Sequence, residues 1–263
     1  MRIIVKRPRA GKDLKDIWCH TSRKDMRAGY YSLNVNRHVV YYVLTPSLIR
    51  IIRVLHARMD PDLHLYNAGI DRGNGVISTA EQSGIGVDDY LAGEETAPIK
   101  HEYVAGEVFA MAGAGEAHVT VAGNLFAVLR NHVRGSPCRV YIADMKVRVE
   151  PADAFYYPDV FVTCDPADSR EKRFKRNPIL VIEVLSDSTA AFDRGTKFAH
   201  YRQLDSLREY VLIEPERLSV DSFRRNAEGD WVLHPVAEGG ELVLTSIDFR
   251  CPVAAVYEDV TLG

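Results

Sequence analysis

Tyr157-Pro158-Asp159-Val160-Phe161-Val162 and Ile179-Leu180-Val181-Ile182-Glu183-Val184-Leu185 are two strand-like runs, each carrying one carboxylate among β-branched and aromatic residues. The second run is apolar on both faces, as a central strand covered from either side must be, and this points to an α/β sheet. A lone charge in such surroundings is either costly or driven to protonate. A cation is therefore expected beside the two acids, and Lys197 follows shortly after them. A metal ion together with the Lys197 ammonium meets that need and describes a site for metal-dependent phosphodiester cleavage.

Working outward, residues 139–149 and 155–163 alternate as strands. Residues 117–133 keep Val121, Leu125, Val128 and Leu129 at helical spacing and stop before Gly135, a common way for a helix to end. Residues 87–91 begin a short helix, and 102–111 read as two strands around a glycine turn. A further helix covers about 192–204. Strands are expected at 209–213, 218–223, 231–235 and 242–244, separated by turn signals such as Ala227-Glu228-Gly229-Asp230. The economical architecture is a mixed sheet flanked by helices.

The chain has 263 residues, 46% hydrophobic and 26% charged, enough for one large domain or a domain with an appendage. No apolar run approaches the roughly 20 residues of a bilayer span. Met1 to Arg9 lacks the apolar core of a secretory signal. The expected compartment is the cytoplasm, with no membrane partner. Cys19, Cys138, Cys164 and Cys251 lie far apart without a C-x-x-C pair, so they read as reduced, mostly buried thiols rather than a zinc site or a disulfide framework.

Charge divides the chain. Residues 1–66 hold 13 Lys/Arg against 5 Asp/Glu, an excess of 8, while the remainder holds 20 against 31, a deficit of 11. The two parts are expected to meet different partners. Between them, residues 67–86 are rich in Gly, Asn and Asp without any period and read as a linker. The basic part opens with a short strand at 2–6 and a helix bearing Leu14, Ile17 and Trp18. Runs at 30–35, 38–44 and 48–55 then suit a small antiparallel meander.

Pro8-Arg9-Ala10, Asp13-Leu14-Lys15-Asp16-Ile17-Trp18, Arg37 to Tyr42 and Ile52 to Asp60 give residues 1–66 a resemblance to the ParE/RelE family of toxins. The second helix of that family's helical hairpin is missing after Thr21. The resemblance implies a small α+β segment that binds nucleic acid or a toxin-like partner. Arg53, His56 and Arg58 read more readily as a solvated basic edge than as functional residues.

In the acidic part, Asp159 lies early in its strand and Glu183 near the end of another. If the strands are neighbours, both carboxylates can share a hard cation, for which magnesium suits the oxygen ligands best. Lys197, one helical turn beyond Asp193, could reach back to orient a water or to stabilise charge on phosphorus. Each has a plainer reading in isolation: Asp159 as a turn residue after proline, Lys197 as an exposed helix lysine. Glu107 could supply a third metal carboxylate or be an exposed hairpin residue. Glu102 is less favoured because Tyr103 and Val104 read as core. His118 reads as a helix cap or a phosphate contact, with a structural role preferred. Lys146 is the alternative lysine, and with Arg148, Lys172, Arg173, Lys175 and Arg176 it could line a basic groove; residues 170–176 read equally as a solvated loop.

Glu102 to Val108, His118 with Gly123-Asn124-Leu125, Pro158-Asp159-Val160, Glu183-Val184-Leu185-Ser186, Thr189, Asp193-Arg194-Gly195-Thr196-Lys197 and Glu209-Tyr210 are similar, in order, to the Uma-two family of PD-(D/E)XK restriction-endonuclease-like nucleases. The similarity covers nearly all of residues 87–260, within a domain expected over 87–263. It implies a restriction-endonuclease-like mixed sheet flanked by helices, with Asp159, Glu183 and a lysine at its centre, Mg2+ as cofactor with Mn2+ as a substitute, and DNA as partner. The superfamily places its lysine two residues after the acid, where this chain has Leu185, so Lys197 takes that part. The expected activity is metal-dependent DNA endonuclease, with a homodimer as a further expectation. The alternatives are a toxin-like binding protein and an inactive nuclease-fold DNA binder.

Overall fold

The computed structural model describes residues 84–111 and 113–263, together with the backbone of four earlier strands. The chain separates into two compact units, one of Met1–His101 with Glu107–Ala112 and one of Glu102–Gly106 with Gly113–Gly263.

In the first unit, β1 (Ile4–Lys6), β2 (Tyr30–Val35), β3 (His38–Leu44) and β4 (Leu48–His56) form an antiparallel sheet in the order β1-β4-β3-β2. These are the β-branched and aromatic runs that read as a meander, with the first strand returning to pair with the last. The helix expected around Leu14, Ile17 and Trp18, and the linker through residue 83, lie outside the described residues. Helix α1 (Val87–Glu94) follows. Its Tyr90 hydroxyl donates to the His101 carbonyl at 2.7 Å, and Glu94 accepts from the His101 amide at 2.8 Å. Strands β5 (His101–Val104) and β6 (Glu107–Ala110) flank the expected turn, where Ala105 and Gly106 have φ of 48° and 86°.

The second unit is built on two larger sheets, with a two-stranded antiparallel pair of Glu241–Leu244 and Phe249–Pro252 beside them in the chain. Helix α2 (Glu116–His132) precedes β7 (Arg139–Ile142), β8 (Lys146–Val149), β9 (Ala154–Tyr156) and β10 (Val160–Thr163). Residues 139–149 and 155–163 were each expected as one strand; each is instead broken into two that lie in different sheets. At the first break Ala143 adopts a left-handed φ of 46° and donates its amide to the Asp159 carbonyl at 3.1 Å. At the second, Pro158 has no N–H to continue a ladder. Helix α3 (Pro166–Arg170), β11 (Phe174–Lys175) and β12 (Pro178–Val184) come next.

Helix α4 runs through Ala190–Phe192, Asp193–Lys197 and Phe198–Tyr201, its middle portion widened to π geometry. It therefore begins two residues before the expected 192. Strands β13 (Glu209–Glu214), β14 (Ser219–Arg225), β15 (Trp231–Val236), β16 (Glu241–Leu244) and β17 (Phe249–Pro252) complete the chain.

The larger sheet has the order β15-β14-β13-β12-β10-β7 and is antiparallel except for β12 beside β13. The other sheet runs β11-β8-β9-β5. Strand β12 is central, as its apolar faces required. Leu180, Ile182 and Val184 pack with Val121, Leu125 and Leu129 of α2, while Val181 and Leu185 pack with Phe198 and Tyr201 of α4. Each such fully buried aliphatic side chain contributes about 1.5–3 kcal/mol.

Two expectations are corrected. Cys138 and Cys164 are joined in a disulfide rather than reduced. The pairing is hidden in the sequence, but Val162 lies opposite Val140 and Thr163 opposite Arg139, so one further step along that ladder sets the two cysteines side by side. Residues 170–176 are not a purely solvated loop either, because Phe174 and Lys175 are buried as a short strand.

Candidate active site

The antiparallel register of β10 and β12 pairs Val160 with Ile182. Continued by one residue toward the bend, it sets Asp159 opposite Glu183, and directly opposed residues in such a ladder project to the same face. The Asp159 carboxylate accepts from the Val184 amide through Oδ2 at 2.8 Å. Its side chain remains 21% exposed, whereas Glu183 is 3% exposed, on the face of β12 otherwise occupied by Val181 and Leu185. Asp159 thus faces an opening, and Glu183 forms its floor.

Lys197 is 4% exposed and closes that floor. Its Nζ lies 2.8 Å from Glu183 Oε1, 3.1 Å from Glu102 Oε1 and 3.5 Å from Asp193 Oδ1. The widened turn of α4 turns both Asp193 and Lys197 inward, and such turns often mark functional segments. The Tyr156 ring lies under the ammonium at 5.5 Å, and the Tyr210 hydroxyl donates to the Asp193 carbonyl at 2.9 Å. Burial disfavours the charge on Lys197, yet Glu102, Glu183 and Asp193 outweigh it and hold the ammonium protonated well above its usual range. Burial pushes Glu183 well above the usual carboxylate range; Lys197 opposes this, and Asp193 and Asp159 add to it.

His118 stands in the first turn of α2, three residues before Val121 on the core-facing stripe. Its Nε2 lies 3.3 Å from Asp159 Oδ2. Burial lowers its proton affinity, but the Asp159 carboxylate and the Val184 backbone outweigh that and raise it above the ordinary histidine value. Lys146 donates to the Tyr157 hydroxyl at 3.2 Å. Of the cations considered for a groove, Arg148 is buried against Asp153 at 2.8 Å, Lys175 is buried and donates to the Asp168 and Glu171 carbonyls, and Arg176 pairs with Glu150. Glu107 is exposed at the head of β6 in the first unit.

The structure therefore brings Asp159, Glu183 and Lys197 together and adds two groups. Glu102, less favoured by the sequence because its neighbours read as core, is itself buried and ion-paired. His118, for which the sequence prefers a structural role, meets Asp159. The helical stripe through 118, 121, 125 and 129 was the available signal.

Buried Glu209 supplies a contrast. It accepts from Arg224 Nε, the Thr245 amide and hydroxyl, and the Ser246 amide and hydroxyl, at 2.5–3.1 Å. All its acceptor capacity is spent on structure. Glu183 Oε1 is answered by the Lys197 ammonium at 2.8 Å and, among the described residues, by no hydroxyl or amide donor. An ionised carboxylate has about four lone-pair sites, so one ammonium leaves acceptor capacity for a further cation. Among the described residues no three His, Cys, Asp or Glu side chains gather as a ready metal cluster. Two carboxylates, one with lone pairs left beyond its lysine partner and the other facing an opening, fit a hard cation that keeps much of its water shell, such as magnesium.

A mixed sheet crossed by α2 on one face and α4 on the other, with acids on adjacent strands, has a nuclease-like architecture. It is shared with a crystal structure from Anabaena variabilis described as a "putative nuclease", at a TM-score of 0.52 and 15% identity over 64% of this chain and 97% of that one. Residues 87–254 match Uma2, described as "Putative restriction endonuclease", and the chain belongs to this family. Two Synechocystis proteins are similar to it. The uncharacterized protein slr1290 is 35% identical over 65% of this chain and 90% of its own length; the uncharacterized protein sll1609 is 31% identical over 55% and 83%. The family match leaves the ParE/RelE-like reading of residues 1–66 without support.

Proposed function

We propose that the protein is a divalent-metal-dependent DNA endonuclease. The observation that supports this reading best is the placement of Asp159, just before β10, beside buried Glu183 on the adjacent strand, with the Lys197 ammonium 2.8 Å from Glu183 Oε1. A magnesium or manganese ion held by Asp159 and Glu183 would polarise the scissile phosphate and acidify a bound water. Lys197 stays protonated among Glu102, Glu183 and Asp193, fixes the Glu183 carboxylate, and supplies the positive charge that offsets charge developing on phosphorus. Glu102 and Asp193 hold Lys197 in place. Uma2 membership and the nuclease-like fold support the reading.

The test is nicking of supercoiled plasmid by purified protein with magnesium, manganese or chelator. Wild type is expected to cut only with metal, and Asp159→Asn or Glu183→Gln to abolish cutting, since each removes a charged oxygen ligand while preserving shape. Wild-type cleavage by Asp159→Asn contradicts the site. A wild type that binds DNA but cuts none supports the second reading, an inactive nuclease-fold binder, which the lack of a third clustered ligand among the described residues favours.

A further inference from the structure

Asp159 is exposed enough to move, yet a metal-binding carboxylate must present one oxygen in a fixed direction. Two groups act on the same atom: the Val184 amide donates to Oδ2 at 2.8 Å, and His118 Nε2 lies 3.3 Å from it. Oδ1 accepts no hydrogen bond from the described residues. The Val184 amide belongs to the strand that carries Glu183, so it ties Asp159 to the neighbouring ladder. His118 belongs to α2, whose Val121, Leu125 and Leu129 are locked in the core beneath it. The imidazole is thus a rigid arm, set on a well-packed helix, that bears on one carboxylate oxygen and leaves the other open.

We propose that His118 is a positioning residue for the metal site: by holding Oδ2 of Asp159 from the first turn of α2, it turns Oδ1 toward the cation that Asp159 and Glu183 share. This rests on the metal-site reading above and deepens it. Groups behind a ligand that fix its orientation are typically worth about 10- to 100-fold in metal affinity. The arm touches neither the cation nor the phosphate, so its removal should show first in metal binding and only through that in cleavage.

The experiment is a calorimetric titration of Mn2+ into the full chain without DNA, for wild type, His118→Ala, His118→Gln and Asp159→Asn, with thermal midpoints measured alongside. His118→Ala is expected to weaken Mn2+ binding about 10- to 100-fold with the midpoint nearly unmoved. His118→Gln, which keeps a donor near the Nε2 position, should restore most of the affinity. A purely structural role would move the midpoint and leave the affinity of the folded protein alone. If His118→Ala does not fold, His118→Met fills the same space without a donor and takes its place. Wild-type affinity in the donorless variant, or a Gln variant as weak as that one, overturns the proposal. If Asp159→Asn still loses Mn2+ in that case, the metal site itself stands; if Asp159→Asn also binds as wild type does, the metal-site reading falls with it.

Discussion

Glu183 and Glu209 are both buried glutamates on neighbouring central strands, and their partners separate them: five donors close around Glu209, while an ammonium answers Glu183 Oε1. Sequence shows that an acid is set among apolar residues but not who answers it. For that reason Asp159, Glu183 and Lys197 were legible, each by its surroundings or spacing, whereas Glu102 was hidden by its buried neighbours and His118 by its place at a helix start. The raised proton affinity of Glu183 has a thermodynamic sign. Stability tied to a carboxyl held above its ordinary value of 4.5 is fully present below that value and is lost as pH rises through the folded value. Without metal, Glu183→Gln should therefore match or exceed the wild-type thermal midpoint near pH 8, with the gap closing toward about pH 4.5. Lys197→Met leaves Glu102, Glu183 and Asp193 buried without their shared cation and should cost about 3–5 kcal/mol in denaturant unfolding at neutral pH. A Lys197→Met protein as stable as wild type contradicts the ion-pair cluster.

Elements were more legible than their joints. The long helix, the doubly apolar strand and the carboxy-terminal strands follow from periodicity, and β12 lies in the centre where its two apolar faces place it. The breaks within 139–149 and 155–163 were not legible as such, because alternation continues across them and alanine gives no warning of the left-handed φ at Ala143. The disulfide was missed for a related reason: Cys138 and Cys164 are 26 residues apart in sequence and become neighbours only through strand register. That bond closes a loop containing both breaks and Asp159. Opening it should lower stability by about 2–4 kcal/mol through greater freedom of the unfolded chain. Thermal scans with and without reductant, repeated on Cys138→Ser/Cys164→Ser, measure this. Equal midpoints in the presence and absence of reductant, in a protein whose thiols are then shown to be free, contradict a stabilising cross-link.

Across the whole molecule, residues 1–66 carry an excess of 8 cations and the remainder a deficit of 11. Duplex binding gains from every cation that displaces counterions, and the slope of log affinity against log salt counts them. Several cations of the second unit are spent on internal partners, Arg148 and Lys175 among them. Removal of residues 1–70 should therefore leave metal-dependent cleavage in place while weakening DNA binding and flattening its salt slope, as followed by filter binding from low to moderate salt. Loss of cleavage at saturating DNA would place catalytic groups in the removed segment.

The two breaks that divide 139–149 and 155–163 have a mechanical consequence. Each strand passes from one sheet into the other, so the sheets share unbroken backbone at two adjacent corners, and Asp159 is mounted at one of them. Such a frame has no internal plane along which it can part like a pair of jaws. The span between Asp159 and Glu183 is set by the ladder itself, ahead of anything that binds there.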